Sequence, residues 1–121
     1  MLISEKAELF RSWLEEKNIN DIEVIDVSGI AADMDAFVIG TSSNDRQSKA
    51  VAEYIEEKAE EQGFQLIGRE GVEAGRWILL DYVDIVVHIF LKEERELYNL
   101  EKLWADGKFI GKPKQKLSEN D

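Results

Sequence analysis

Residues 76–90 read Arg-Trp-Ile-Leu-Leu-Asp-Tyr-Val-Asp-Ile-Val-Val-His-Ile-Phe: two runs rich in β-branched and aromatic residues, meeting at Tyr82-Val83. No other stretch restricts the fold as strongly. Side chains alternate along a strand, so two runs joined this tightly form an antiparallel hairpin with two distinct faces. With the turn centred on Tyr82-Val83, Asp81 opposes Asp84, Leu79 opposes Val86 and Trp77 opposes His88. Those six share one face with Phe90. The other face carries Ile78, Leu80, Tyr82, Ile85, Val87 and Ile89, which is almost wholly apolar and must lie against helices. A one-residue slip would exchange the faces, so this reading depends on the register.

The rest of the chain supplies those helices. Ala7, Phe10, Trp13, Leu14 and Lys17 fall at helical spacing over residues 4–17, with Ser4 placed as an N-cap. Residues 22–27 form a short strand, 28–35 a loop, and 36–41 a buried strand. Asn44 with Gln47 three residues on reads as a capping box. The helix it opens runs to about Gln62, with Val51, Tyr54, Ile55, Lys58 and Ala59 on one side and Gly63 as the residue after the cap. A third strand spans 64–68, and a helix spans 92–106 with a break near Asn99. The order α-β-β-α-β-β-β-α predicts an α+β fold, a mixed five-stranded sheet packed with helices. Residues 1–106 form the domain. Residues 107–121, with Lys112, Lys114, Lys116 and the only proline, Pro113, read as a basic, disordered tail.

The chain has 121 residues, enough for one domain. Its net charge is −11, with 26 acidic and 15 basic residues. An even charge of that sign repels nucleic-acid phosphates, so direct nucleic-acid binding is not expected and a basic protein partner is. With no cysteine, disulfides, thiolate zinc sites and a cysteine nucleophile are excluded. The N-terminus lacks a signal-peptide pattern, and no apolar run reaches the roughly 20 residues of a membrane span. A cytoplasmic, membrane-free protein is expected.

Three predicted helices are few for two sheet faces. Trp77, Leu79, Asp81, Val86, His88 and Phe90 therefore form the first candidate partner-binding surface, an apolar patch left open for another protein. The competing reading covers both faces and puts Trp77 in the core. Tyr98, Leu100 and Trp104 extend the candidate set. Leu97, Leu100 and Trp104 stand at i, i+3 and i+7, first a packing stripe and secondly a dimer surface.

Catalytic constellations are incomplete. His88 is the only histidine and cannot build a zinc site alone; it reads as a strand histidine in a surface network. Asp33 and Asp35 lie in a loop, and Asp81 and Asp84 flank a turn where aspartate is favoured for local hydrogen bonding. Gly40-Thr-Ser-Ser joins a strand to a helix N-terminus, weakly like the motif that opens nucleotidyltransferase sites. Those enzymes carry paired acids on the strand after the next helix, and residues 64–68 hold none. Capping is the reading for Ser42, Ser43 and Asn44. No cofactor or metal is expected, and the chain is read as a non-enzyme.

Three blocks carry a family resemblance: Asp35-Ala-Phe-Val-Ile-Gly-Thr-Ser-Ser-Asn-Asp-Arg-Gln; Glu73-x-Gly-Arg-Trp-Ile-Leu-Leu-Asp-Tyr-x-Asp-Ile-Val-Val-His-Ile-Phe; and Glu94-Arg-Glu-Leu-Tyr-Asn-Leu-Glu-Lys-Leu-Trp. Together they resemble the ribosomal silencing factors, or iojap-like family, over roughly residues 3 to 106. The resemblance implies a nucleotidyltransferase-like core without its catalytic acids. It implies binding to the large ribosomal subunit through large-subunit ribosomal protein number fourteen. That blocks subunit joining and represses translation when nutrients are scarce. Organellar relatives assist large-subunit assembly, and members are often homodimers. The alternatives are a large-subunit assembly factor acting on pre-ribosomes and a divergent nucleotidyltransferase using Ser42 and the carboxylates. Family members commonly carry glycine or a small residue where this chain has Val83, which implies a different turn here, and Gly40 stands where alanine is common, a minor departure.

Overall fold

The computed structural model describes residues 1–28 and 34–99. Position 33, the helix expected beyond Asn99 with Leu100 and Trp104, and the 107–121 tail lie outside them.

The elements follow the predicted order: α1 (Ile3–Glu16), β1 (Asn20–Asp26), β2 (Ala36–Ser42), α2 (Asp45–Glu61), β3 (Gly68–Glu70), β4 (Trp77–Asp81), β5 (Ile85–Leu91) and α3 (Lys92–Tyr98). The five strands make one mixed sheet in the order β1-β2-β5-β4-β3. Only β2 and β5 run parallel; the other pairs are antiparallel. Every residue of β2 is buried, because β2 lies inside the sheet. That explains its continuous apolar run in place of alternation.

α1 buries Ala7, Phe10, Trp13 and Leu14, as their spacing predicts. Its N-cap is Leu2, not Ser4; the Leu2 amide donates to the Glu5 carboxylate at 3.2 Å. α2 opens at Asn44, whose Oδ1 accepts from the Gln47 amide at 2.8 Å. The return bond comes from the Ser43 amide to Gln47 Oε1 at 2.6 Å, one residue earlier than a capping box places it. Gly63 follows the C-cap with φ 79°, a conformation that costs glycine little. α1 and α2 cover one sheet face, closing a core with Ile78, Leu80, Tyr82, Ile85, Val87 and Ile89. This is the apolar hairpin face read from the sequence.

Two elements depart from expectation. β3 begins at Gly68, where the predicted third strand ends. Phe64 and Leu66 pack on the helical core from an irregular segment instead. Within the hairpin, Trp77 pairs with Phe90, Leu79 with His88 and Asp81 with Val86. The turn is therefore centred on Val83-Asp84, and the pairing is displaced by two residues from the predicted one. An even displacement leaves each side chain on its predicted face. The Tyr82 amide donates to the Ile85 carbonyl at 2.8 Å, and the Asp84 amide to the Tyr82 carbonyl at 2.9 Å. Val83 sits between them with φ 77°. Lys6 of α1 secures the turn, donating to Asp84 Oδ1 at 2.7 Å and to the Tyr82 carbonyl at 3.2 Å.

Candidate docking surface

The second sheet face was the candidate for an open surface, and it is covered. Val27, Met34, Phe37, Ile39, Leu79, Val86 and Phe90 form a second buried cluster, with Ile25, Trp77 and Tyr98 packed at its margin. Leu79, Asp81, Val86, His88 and Phe90 are all buried. The expected exposure of these five is corrected: the reading with both faces covered holds for them. Of the predicted surface residues that are described, only Trp77 and Tyr98 keep partial exposure. Leu100 and Trp104 lie outside the described residues.

The geometry around Trp77 follows from strand register. Trp77 on β4 stands opposite Phe90 on β5, ring centroids 4.6 Å apart. Tyr98, at the end of α3, stacks against the outer side of this pair with its centroid 4.7 Å from Trp77. His88 lies one diagonal position away, and its Nδ1 accepts the Trp77 indole N–H at 3.0 Å. Phe37 from β2 meets the His88 ring edge-on at 4.7 Å. Trp77 is thus held by Phe90 and His88, and Tyr98 packs on it.

His88 is therefore no surface histidine. It is fully buried, and burial holds its pKa down to about 3. Its Nε2 has no hydrogen-bond partner. A neutral ring locked by Trp77 has a packing role, and a general base would need a nucleophile within reach.

α3 carries the nearest charges. None of its residues is buried, and apart from Tyr98 it is attached by polar contacts. Arg76 Nε bonds Glu94 Oε2 at 2.5 Å, and Arg95 Nη1 donates to Thr41 Oγ1 at 2.9 Å and to the Asp21 carbonyl. Glu93 and Glu96 are exposed beside them, as is Leu97. Arg76, Glu94 and Arg95 were missed in the sequence reading because charged residues on a short helix look like ordinary solvated positions. The surface that results has two partly exposed aromatic rings beside the Arg76–Glu94 ion pair, an apolar contact point with a polar rim.

The remaining polar motifs are structural. Asp81 Oδ1 accepts the Val83 amide at 3.0 Å, and Asp84 pairs with Lys6. The buried Ser42 hydroxyl bonds Ser48 and the Asn44 carbonyl, tying the end of β2 to α2. No group of three or more potential metal ligands occurs among the described residues, and no helix among them is long and apolar enough to cross a membrane.

The family model described as "Ribosomal silencing factor during starvation" matches residues 2–121. The ribosomal silencing factor RsfS of Bacillus subtilis is 44% identical over 92 residues, covering 76% of this chain and 78% of its own. The mouse mitochondrial assembly of ribosomal large subunit protein 1 is 34% identical over 97 residues, covering 78% of this chain and 42% of its own. A crystal structure of a protein from Chromobacterium violaceum superposes with a TM-score of 0.84 at 35% identity, covering 87% of this chain and 88% of its own. The chain belongs to the RsfS family of ribosomal silencing factors.

Proposed function

We propose that this protein binds the large ribosomal subunit through large-subunit ribosomal protein number fourteen and so keeps the small subunit from joining. Translation is thereby repressed when nutrients are scarce. The observation that carries this reading is the family match across residues 2–121. The physical features are compatible with it. A net charge of −11 favours encounter with a basic ribosomal protein and disfavours binding to bare RNA. Trp77 and Tyr98, packed on each other and partly exposed, are the anchors of the surface, with the Arg76–Glu94 ion pair near them. The mechanism is steric and needs no bond making or breaking, so the protein acts without catalysis or cofactor.

Sedimentation through a sucrose gradient tests the proposal. The protein should travel with free large subunits and be absent from joined ribosomes, and purified protein number fourteen should bind it directly. Equal occupancy of free and joined particles would end the anti-joining reading. A second reading, assistance in large-subunit assembly, is favoured by the mouse relative named for that process. Under that reading, deletion leaves immature large-subunit particles. Under silencing alone, deletion leaves mature ones.

A further inference from the structure

Between the first half of α1 and β1, on the sheet face opposite Trp77, lies a groove of about 420 Å³. Ala7 and Ala36 form its buried floor, and Ile3 and Val24 line it above them. β1 is an edge strand, and among the described residues no strand pairs with its outer side. Val24 is left 44% exposed there. An exposed β-branched residue on an open edge invites pairing, and native folds blunt or cover such edges. The start of β1 is blunted: its register against β2 shifts between Asn20 and Glu23, and Asp21 has φ 50°. From Glu23 to Asp26 the ladder is regular, so this half of the edge, beside the groove, needs a cover.

Charge selects the occupant. Asp26 and Asp35 line the groove, and no basic side chain does. Asp26 Oδ1 accepts the Ser28 hydroxyl at 2.7 Å and the Ser28 amide at 3.0 Å, which holds its pKa below the usual carboxylate range and keeps it charged. Neither carboxylate has an ion-pair partner among the described residues. The chain carries the complement itself, outside those residues. Lys108-Phe-Ile-Gly-Lys112 sets two adjacent apolar side chains between two cations, and residues 107–118 hold four lysines and no acid. Asn99, where the described structure ends, lines a cavity with Asp21, Ile22 and Glu23 at the start of β1. From Asn99 to Phe109 the chain spans about 15 Å as a helix and up to roughly 33 Å extended. From Glu23 to Asp26 along β1 is only about 10 Å. A segment tethered this closely has an effective concentration on the order of millimolar, which favours it over a free peptide.

We propose that residues 108–112 of this chain dock in the α1–β1 groove, with Phe109 and Ile110 on Val24 and the alanine floor and with Lys108 and Lys112 on Asp26 and Asp35. The tail then covers the outer edge of β1, and its lysines are withdrawn from non-specific contact with phosphates. Surface ion pairs hold it, so the contact weakens as salt rises. The site is independent of the Trp77 surface and of the ribosomal reading.

The test is paramagnetic broadening in the NMR spectrum of the full chain. The sequence has no cysteine, so Gln115→Cys gives a single attachment point for a nitroxide. The amide signals of Ile3, Ala7 and Val24 should broaden selectively and recover when the nitroxide is reduced. Reversing both charges, Lys108→Glu with Lys112→Glu, should lower the docked population about fivefold, the loss of two surface ion pairs. Phe109→Ser with Ile110→Ser should also release the tail. Unchanged signals from α2 and β5 show in each variant that the fold is intact, so lost broadening cannot be lost folding. In a mixture of nitroxide-bearing chains without isotope label and isotope-labelled chains without nitroxide, no broadening is expected. Broadening in that mixture would assign the groove to a second copy and overturn the proposal. So would broadening spread evenly over the surface or centred on Trp77, or broadening at the groove that persists in both pairs of substitutions.

Discussion

Trp77 stands diagonal to His88 across the β4–β5 ladder, and its indole Nε1 donates to His88 Nδ1 at 3.0 Å. That bond fixes the tautomer: with Nδ1 accepting, the imidazole proton sits on Nε2. The ring is neutral because burial penalises its charged form.

His88 should therefore make the fold acid-sensitive. Unfolded, the imidazole takes up a proton near pH 6.5; folded, only near 3. Between those values the unfolded state binds the extra proton, so stability falls as pH falls. From pH 7 to pH 5, before most carboxylates titrate, the loss should be about 2 kcal/mol. His88→Gln keeps an acceptor for Trp77 and cannot titrate. Urea unfolding at both pH values should show that the variant has lost most of this dependence.

Trp77→Ala should now damage the fold as well as docking. The ring packs on Phe90 and Tyr98 and satisfies His88, so its loss opens a cavity at the margin of the second core and should cost about 3 kcal/mol. Thermal melting checks the stability loss. Affinity for ribosomal protein number fourteen, measured below the melting transition, checks the docking role. An unchanged melting temperature would contradict the packing described above.

How much was legible in advance follows from the range of each interaction. The faces of β4 and β5 could be read because strand alternation is local, and they survived a two-residue error in register because that error was even. The centre of the turn could not be read, since Val83 adopts a backbone conformation that its side chain disfavours. β3 was misplaced because Phe64 and Leu66 alternate as in a strand, yet pack on α1 and α2 without a ladder. The covering of the second face depends on residues such as Val27 and Met34, far from the hairpin in sequence. No local pattern in residues 76–90 reports whether such residues arrive. The ribosomal partner came only from family resemblance. Charge and burial leave the partner's name open.

Val83→Gly should stabilise the protein. A β-branched residue at φ 77° is a steric outlier, and the side chain is 48% exposed, so little packing is lost with it. The entropy cost of glycine in the unfolded chain offsets part of the gain. A net increase of roughly 0.5–1 kcal/mol is expected, visible as a melting temperature higher by a few degrees. A lower melting temperature would mean that the Val83 side chain makes a contact outweighing its strain.

Gly40 stands where the family resemblance implies alanine, and the surroundings of this strand position hold it to glycine. Gly40 has no positive φ; its constraint is space. A Cβ there would stand 2.4 Å from Ile19 Cγ2, far inside van der Waals contact. Ile19 is itself 5% exposed and belongs to the α1–α2 core, so its branched side chain has little room to turn away. Gly40→Ala should therefore cost about 1–3 kcal/mol by overpacking, despite placing a better-ordered residue in a central strand. Ile19→Ala alone should also destabilise, by removing buried methyl groups. The two together should cost clearly less than the sum, because the smaller side chain at 19 vacates the volume that the new methyl needs. A double-mutant cycle by urea denaturation measures this directly, with a coupling of at least about 1 kcal/mol expected. Strict additivity would show that Ile19 is not the residue that keeps position 40 a glycine.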